Sequence, residues 1–145
     1  MIRARSRARE VAMQLLVQYE TNPQVKRLVI TRFAHDRLSN DELEAFCLRL
    51  YDGTVRFLDE LDRQLSSVSQ NWRLNRMAVV DRNVLRLGLF EITRMPDLAT
   101  PAPVVIDEMI ELAKRFGSKD SPSFINGILD RFAKPAPLAA VPPTE

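Results

Sequence analysis

Several residue types are scarce in this sequence, and each scarcity removes a class of protein. Cysteine and histidine occur once each, as Cys47 and His35. An intramolecular disulfide is therefore impossible, and a Cys/His zinc site or a Cys–His nucleophilic pair lacks material. Cys47, within "LEAFCLRLY", is expected in the core. Only 4 of the 145 residues are glycine. The sequence has no Gly-rich phosphate loop, no helical His-x-x-x-His pair and no Gly-x-Ser-x-Gly elbow. No apolar run reaches the ~18 residues that a membrane-spanning helix needs. "VAMQLLVQYE" is too soon broken by Gln and Glu to be the apolar part of a signal peptide, so a cytoplasmic protein is expected. The carboxylate pairs Asp41-Glu42 and Asp107-Glu108 would point about 100° apart on a helix and form no acid/base dyad. An enzyme is not expected, nor a cofactor or a metal.

What is present points to helices. Apolar residues make up 46% and charged residues 28% of the chain, a balance that supports one globular domain. Residues 8–19 place apolar groups at 11, 12, 15, 16 and 19, which is helical spacing. Asn22-Pro23 ends that helix. A second helix is expected over 24–37, with Val25, Leu28, Val29, Phe33 and Leu38 inward. "SNDE" at 39–42 reads as a capping box, with Ser39 as cap and Glu42 reaching back. The helix after it is expected to run to about Leu65, bending near Gly53. "SSVSQNW" at 66–72 is a polar joint between two helical halves, roughly 1–68 and 72–134.

Residues 77–94 are apolar nearly all round, so that helix belongs at the centre. Gly88 inside it implies close approach of another helix. "VVIDEMIELAKRF" predicts a further helix with Val105, Ile106, Met109, Ile110, Leu112, Ala113 and Phe116 inward. Gly117 would cap its end. Ser121-Pro122 opens the last helix, which carries Phe124, Ile125, Ile128, Leu129 and Phe132. "PAPLAAVPPTE" at 135–145 reads as a disordered tail. The expected fold is all-α, a compact bundle of about seven helices.

Charge is concentrated at the start, "MIRARSRARE". Four arginines and one glutamate give these ten residues +3, so the rest of the chain sums to −1 of the total +2. On a helix, Arg3 would pair with Arg7 and Arg5 with Arg9. Glu10 offsets part of their repulsion, and a phosphate backbone could offset more through bidentate guanidinium contacts. Positive charge at a helix N-terminus opposes the macrodipole, which argues against a purely structural role. A second feature is "DSPSFING" at 120–127. Phe124 could stack on an unpaired base and Asn126 could bond a base edge. On spacing alone, however, Phe124 falls on the core stripe with Ile128 and Phe132. Asn126-Gly127 inside a helix suggests a close backbone contact, to protein or ligand.

Four blocks then carry a resemblance: "RAREVAMQLL" at 7–16, "DRNVLRLGLFEI" at 81–92, "VVIDEMIELAKRFGSKDS" at 104–121 and "FINGILDRFAK" at 124–134. In order and spacing they resemble the NusB family of bacterial transcription antitermination factors. The resemblance implies an all-helical RNA-binding domain over 1–134. It implies binding to boxA RNA of ribosomal RNA transcripts, together with a small-subunit ribosomal protein that acts as NusE. It also implies contact with other Nus factors and RNA polymerase, with a homodimer as a further option. By this correspondence Arg3, Arg5, Arg7, Arg9 and Gln14 belong to the RNA surface. Phe124 becomes a stacking residue, with Asp120 and Asn126 beside it, and Asp81 faces the protein partner. The sequence departs from the family pattern at Ser6, Val17, Asp107 and Ser123. Ser6 and Ser123 each replace a basic residue, which weakens the case for phosphate contacts there. Two other readings stand: a helical interaction or dimerisation module without RNA, and an RNA-targeting domain like that fronting a ribosomal RNA cytosine methyltransferase.

Overall fold

A computed structural model describes residues 2–69, 74–95 and 100–133. The expected tail at 135–145 and part of the joint at 66–72 lie outside the described residues. Seven α-helices follow in order: α1 Ile2–Thr21, α2 Arg27–Leu38, α3 Asp41–Arg56, α4 Leu58–Val68, α5 Val79–Thr93, α6 Ala102–Phe116 and α7 Ser121–Ala133, with a short 3-10 turn at Leu74–Arg76. No strand occurs among the described residues, and none of their helices is long and apolar enough to cross a membrane. The fold is all-α.

α5 is the hub, packed against α1, α3, α4, α6 and α7. Its Val84, Leu85, Leu87, Leu89 and Phe90 are buried, as its all-round apolar pattern requires. Gly88 serves the close approach expected of it. A Cβ there would lie 2.8 Å from Leu129 Cδ1 and 2.8 Å from Met109 Cγ, so α6 and α7 both press on this point. Cys47 is fully buried, and burial pushes its thiol up to about 12, which leaves it inert as a nucleophile.

Four local expectations are corrected. Ser39 is not a helix cap at the start of α3. It takes φ 47°, the left-handed region, and closes α2 by donating its N–H to His35 O. The N-cap is Asn40, whose side chain accepts from Leu43 N–H, and Glu44, not Glu42, accepts the Asn40 N–H. The long third helix breaks at Phe57 rather than bending at Gly53. Phe57 stacks on Phe90 with ring centroids 6.4 Å apart, and the Phe90 ring fills the space where a Gly53 side chain would sit. In α2 the buried residues are Ile30 and Ala34. Leu28, 67% exposed, and Val29 face outward instead of inward. Phe116 at the end of α6 is likewise exposed.

Candidate nucleic-acid interface

The arginine motif lies on α1, which is helical from Ile2. Its arginines part company by face. Arg5 and Arg9, one turn apart, both lie over the Phe46 ring of α3, with guanidinium carbons 4.3 Å and 5.2 Å from its centroid. Arg9 is buried. It donates Nε–H to Glu91 Oε1 at 2.8 Å and Nη2–H to Glu91 Oε2 at 2.6 Å, and Glu108 stands 3.6 Å away. This corrects the expectation of a phosphate contact at Arg9: its fork is already occupied by a buried carboxylate, and solvent does not reach it. Arg7 points the other way, is 44% exposed, and donates to Glu10 at 2.7 Å. Arg3 lies in α1, its side chain outside the described part of the structure.

Glu10 itself is buried beneath two arginines. Its second oxygen accepts from Arg115 Nη1 of α6 at 2.8 Å. Ser6 donates to Glu108 of α6 at 2.6 Å. Serine here ties α1 to α6, a job the shorter polar side chain performs within the fold. Gln14, further along α1, is half-buried, and its Oε1 receives no hydrogen bond from any described residue.

The second constellation forms around the start of α7. A cavity of about 290 Å³ is lined by Phe124, Asp120, Ser118 and Ser121 from the α6–α7 corner and by Arg76, Met77 and Asp81 from the entry to α5. The corner is tied by Ser118 N–H donating to Ser121 Oγ at 2.9 Å. Phe124 is half-buried, resting on the core with part of its ring in the cavity wall. The core stripe read from its spacing thus holds in part, and the rest of Phe124 faces the cavity. Asp81 is buried, and its Oδ1 receives no hydrogen bond from any described residue. Asp81, Asp120 and Phe124 are therefore brought together, whereas the arginines and Gln14 are not among the cavity's lining residues. Asn126 is exposed and stands apart from that lining. Gly127 has only open space among the described residues where a Cβ would go, so no close contact with them explains it.

The entry to α5 is held by a charged network that sequence reasoning missed. Glu20 of α1 accepts from Arg82 at 2.7 Å on both oxygens, from Arg86 at 2.7 Å and from Asn83 at 2.9 Å. Arg86 also makes a two-point pair with Asp62 of α4. Arg82 Nη1 donates to the carbonyls of Leu74 and Met77, fixing the turn that forms one wall of the cavity. The Arg82 hydrogen bond holds the Glu20 carboxyl below its ordinary range, against the opposing effect of burial. Arg76, Met77, Arg115 and Ser118 were also missed. Only three-dimensional packing brings them to the site, and no spacing rule announces them.

Comparison with known proteins gives consistent matches. The NusB family model matches residues 6–134. The transcription antitermination protein NusB of Sorangium cellulosum is 41% identical over 131 residues, covering 90% of this chain and 92% of its own. That of Solibacter usitatus is 39% identical over 143 residues, covering 97% and 95%. The solved structure of T. maritima NusB, 34% identical, superposes with a TM-score of 0.79 over 94% of this chain and 96% of its own. A crystal structure of antitermination factors NusB and NusE in complex with dsRNA shares the fold at a TM-score of 0.79 and 22% identity, covering 92% and 98%. α1 from Ser6 onward, with Arg7 and Arg9, and the α7 corner fall inside residues 6–134, and the chain belongs to the NusB family.

Proposed function

We propose that this protein is a transcription antitermination factor that acts by binding, without catalysis. Its ligand is boxA RNA of ribosomal RNA transcripts. Its partner is the small-subunit ribosomal protein that serves as NusE, and the pair joins other Nus factors on RNA polymerase in the cytoplasm. The observations that carry this reading are the exposed Arg7 on α1 and, apart from it, a cavity that offers an aromatic ring and a carboxylate oxygen without a hydrogen bond from the described residues. Guanidinium groups suit phosphates, and a partly exposed ring suits an unstacked base. Asp81, whose Oδ1 accepts no hydrogen bond from the described residues, suits a cationic or N–H donor group of the protein partner. Asp120, in the same lining as the ring, tunes the contact, and the exposed Asn126 is free to meet a base edge. The relatives' role in antitermination, and the solved assembly of NusB and NusE with dsRNA, support the same reading.

The test is fluorescence anisotropy with a labelled boxA-like RNA and a scrambled control, at two salt concentrations, with and without the ribosomal protein. Preference for boxA that sharpens with the partner is the expected result. Phe124→Ala should weaken binding by roughly tenfold, as loss of one stacked base would. Absence of RNA retention under every condition would sink the proposal. A second reading, a helical module that docks protein alone, draws on the exposed Leu28 and Val29 of α2. A salt-insensitive complex or a homodimer without RNA binding would favour it.

A further inference from the structure

Arg7 and Arg115 come from helices far apart in sequence, yet both reach the same carboxylate. Glu10 accepts from Arg7 through one oxygen at 2.7 Å and from Arg115 through the other at 2.8 Å. Both guanidinium groups stay open to solvent, with side chains 44% and 55% exposed, while Glu10 lies buried beneath them. Two positive charges over one negative charge leave a surplus positive charge at the surface. Each arginine uses one Nη on Glu10, and a guanidinium carries five N–H donors in a rigid fork. A buried carboxylate thus acts as a fixed hinge that presents two forks side by side.

A second observation points to the same class of ligand. Arg115 stacks on Phe116, its guanidinium carbon 4.8 Å from the ring centroid. Phe116 is 36% exposed at the end of α6, where an apolar helix stripe would place it in the core. An exposed aromatic ring against one of two arginines that share a carboxylate suits single-stranded nucleic acid, phosphate on the forks and base on the ring.

We infer that Arg7, Arg115 and Phe116 form an RNA subsite that grips one backbone phosphate and seats the adjoining base, with Glu10 as its positioning residue. The inference rests on the RNA-binding reading above and extends it from α1 onto α6. It also gives this chain a cation near the arginine motif, whose run Ser6 interrupts.

The experiment compares the full-length parent with Arg115→Ala, Arg7→Ala, the double variant and Glu10→Gln. Each is titrated with labelled single-stranded boxA-like RNA in the presence of the ribosomal protein, across a salt series, with a thermal melt to confirm folding. Arg115→Ala should weaken binding by about tenfold and reduce the log–log salt slope by ~0.7, the value for one phosphate on a single strand. The double variant should fall little further than the weaker single, because both forks hold one phosphate. Glu10→Gln is the sharper arm. It adds a net positive charge, so a merely electrostatic surface would bind more tightly. Loss of the hinge predicts weaker binding in a variant that still melts cooperatively. If the parent binds RNA and Arg115→Ala matches it in affinity and slope, the subsite is overturned while the RNA reading stands. Tighter binding by Glu10→Gln overturns the positioning role. A parent that retains no RNA overturns both readings together.

Discussion

Gly88 and Gly127 both interrupt helices, but only one of them is needed there. A methyl group at Gly88 would strike Met109 and Leu129. Gly88→Ala should therefore destabilise by about 1–3 kcal/mol through overpacking. At Gly127 the added carbon meets none of the described residues, and helix propensity decides. Gly127→Ala should stabilise by roughly 0.5–1 kcal/mol. Urea unfolding of the two variants checks both signs, and a destabilised Gly127→Ala would contradict the open space described. A similar contrast separates the arginines. Arg9→Ala strands Glu91 in the core and should cost about 3–5 kcal/mol. Arg7→Ala should cost only ~0–1 kcal/mol, since its pair with Glu10 is part-exposed and Arg115 remains on the other oxygen. The sequence pattern put both arginines on the RNA side because charge pattern records sign and spacing only. Burial depends on Phe46 and Glu91, which lie 37 and 82 positions beyond Arg9.

At the scale of elements, apolar periodicity located the helices well and their exact faces less well. The central position of α5 was legible because a helix apolar on most sides has nowhere else to go. In α2 the pattern was ambiguous. Leu28 and Val29 looked as buriable as Ile30, and only docking against α1 and α3 selects the Ile30–Ala34 face. The break at Phe57 was hidden because the ring that Phe57 packs on, Phe90, comes from another helix. The Glu20 network was hidden for the same reason, and it makes a pH-dependent prediction. Hydrogen bonding to Arg82 lowers the folded-state carboxyl below its ordinary value of 4.5. A depressed carboxyl contributes stability that is fully present above the unfolded value and is lost as pH falls through the folded one. Glu20→Gln should thus be less stable than the parent by about 2 kcal/mol near neutrality. The gap should stay constant down to about pH 5 and narrow below that, giving the variant a shallower acid limb. Chemical denaturation midpoints from pH 7 to pH 3 would show this, and a gap that widened on acidification would refute the assignment.

For the whole molecule, the question is why a charge count understates how selective the surface is. Buried ion pairs neutralise Arg9 and Arg86, and Arg82 is nearly enclosed. These pairs withdraw three cations from the exposed charge, whereas Arg7 and Arg115 stay open to solvent. The opposite holds at the cavity, where unsatisfied polarity is retained. Asp81 Oδ1 lies buried without a hydrogen bond from the described residues, a condition that costs roughly 1–3 kcal/mol. Its place in the first turn of α5 returns only about 0.3–1 kcal/mol through the helix dipole. The cost of the unsatisfied oxygen outweighs that return, so Asp81→Ala should raise stability by about 1 kcal/mol. A residue that lowers stability and faces a cavity beside Phe124 is suited to a partner that supplies the missing donor. The same variant should then bind the ribosomal protein about tenfold more weakly or worse, because the partner's donor loses its acceptor. Calorimetric titration and thermal melting of one preparation read both quantities. A rise in stability with undiminished docking would leave the carboxylate without a function in assembly. A fall in stability would mean that Asp81 belongs to the fold and that the partner is held elsewhere.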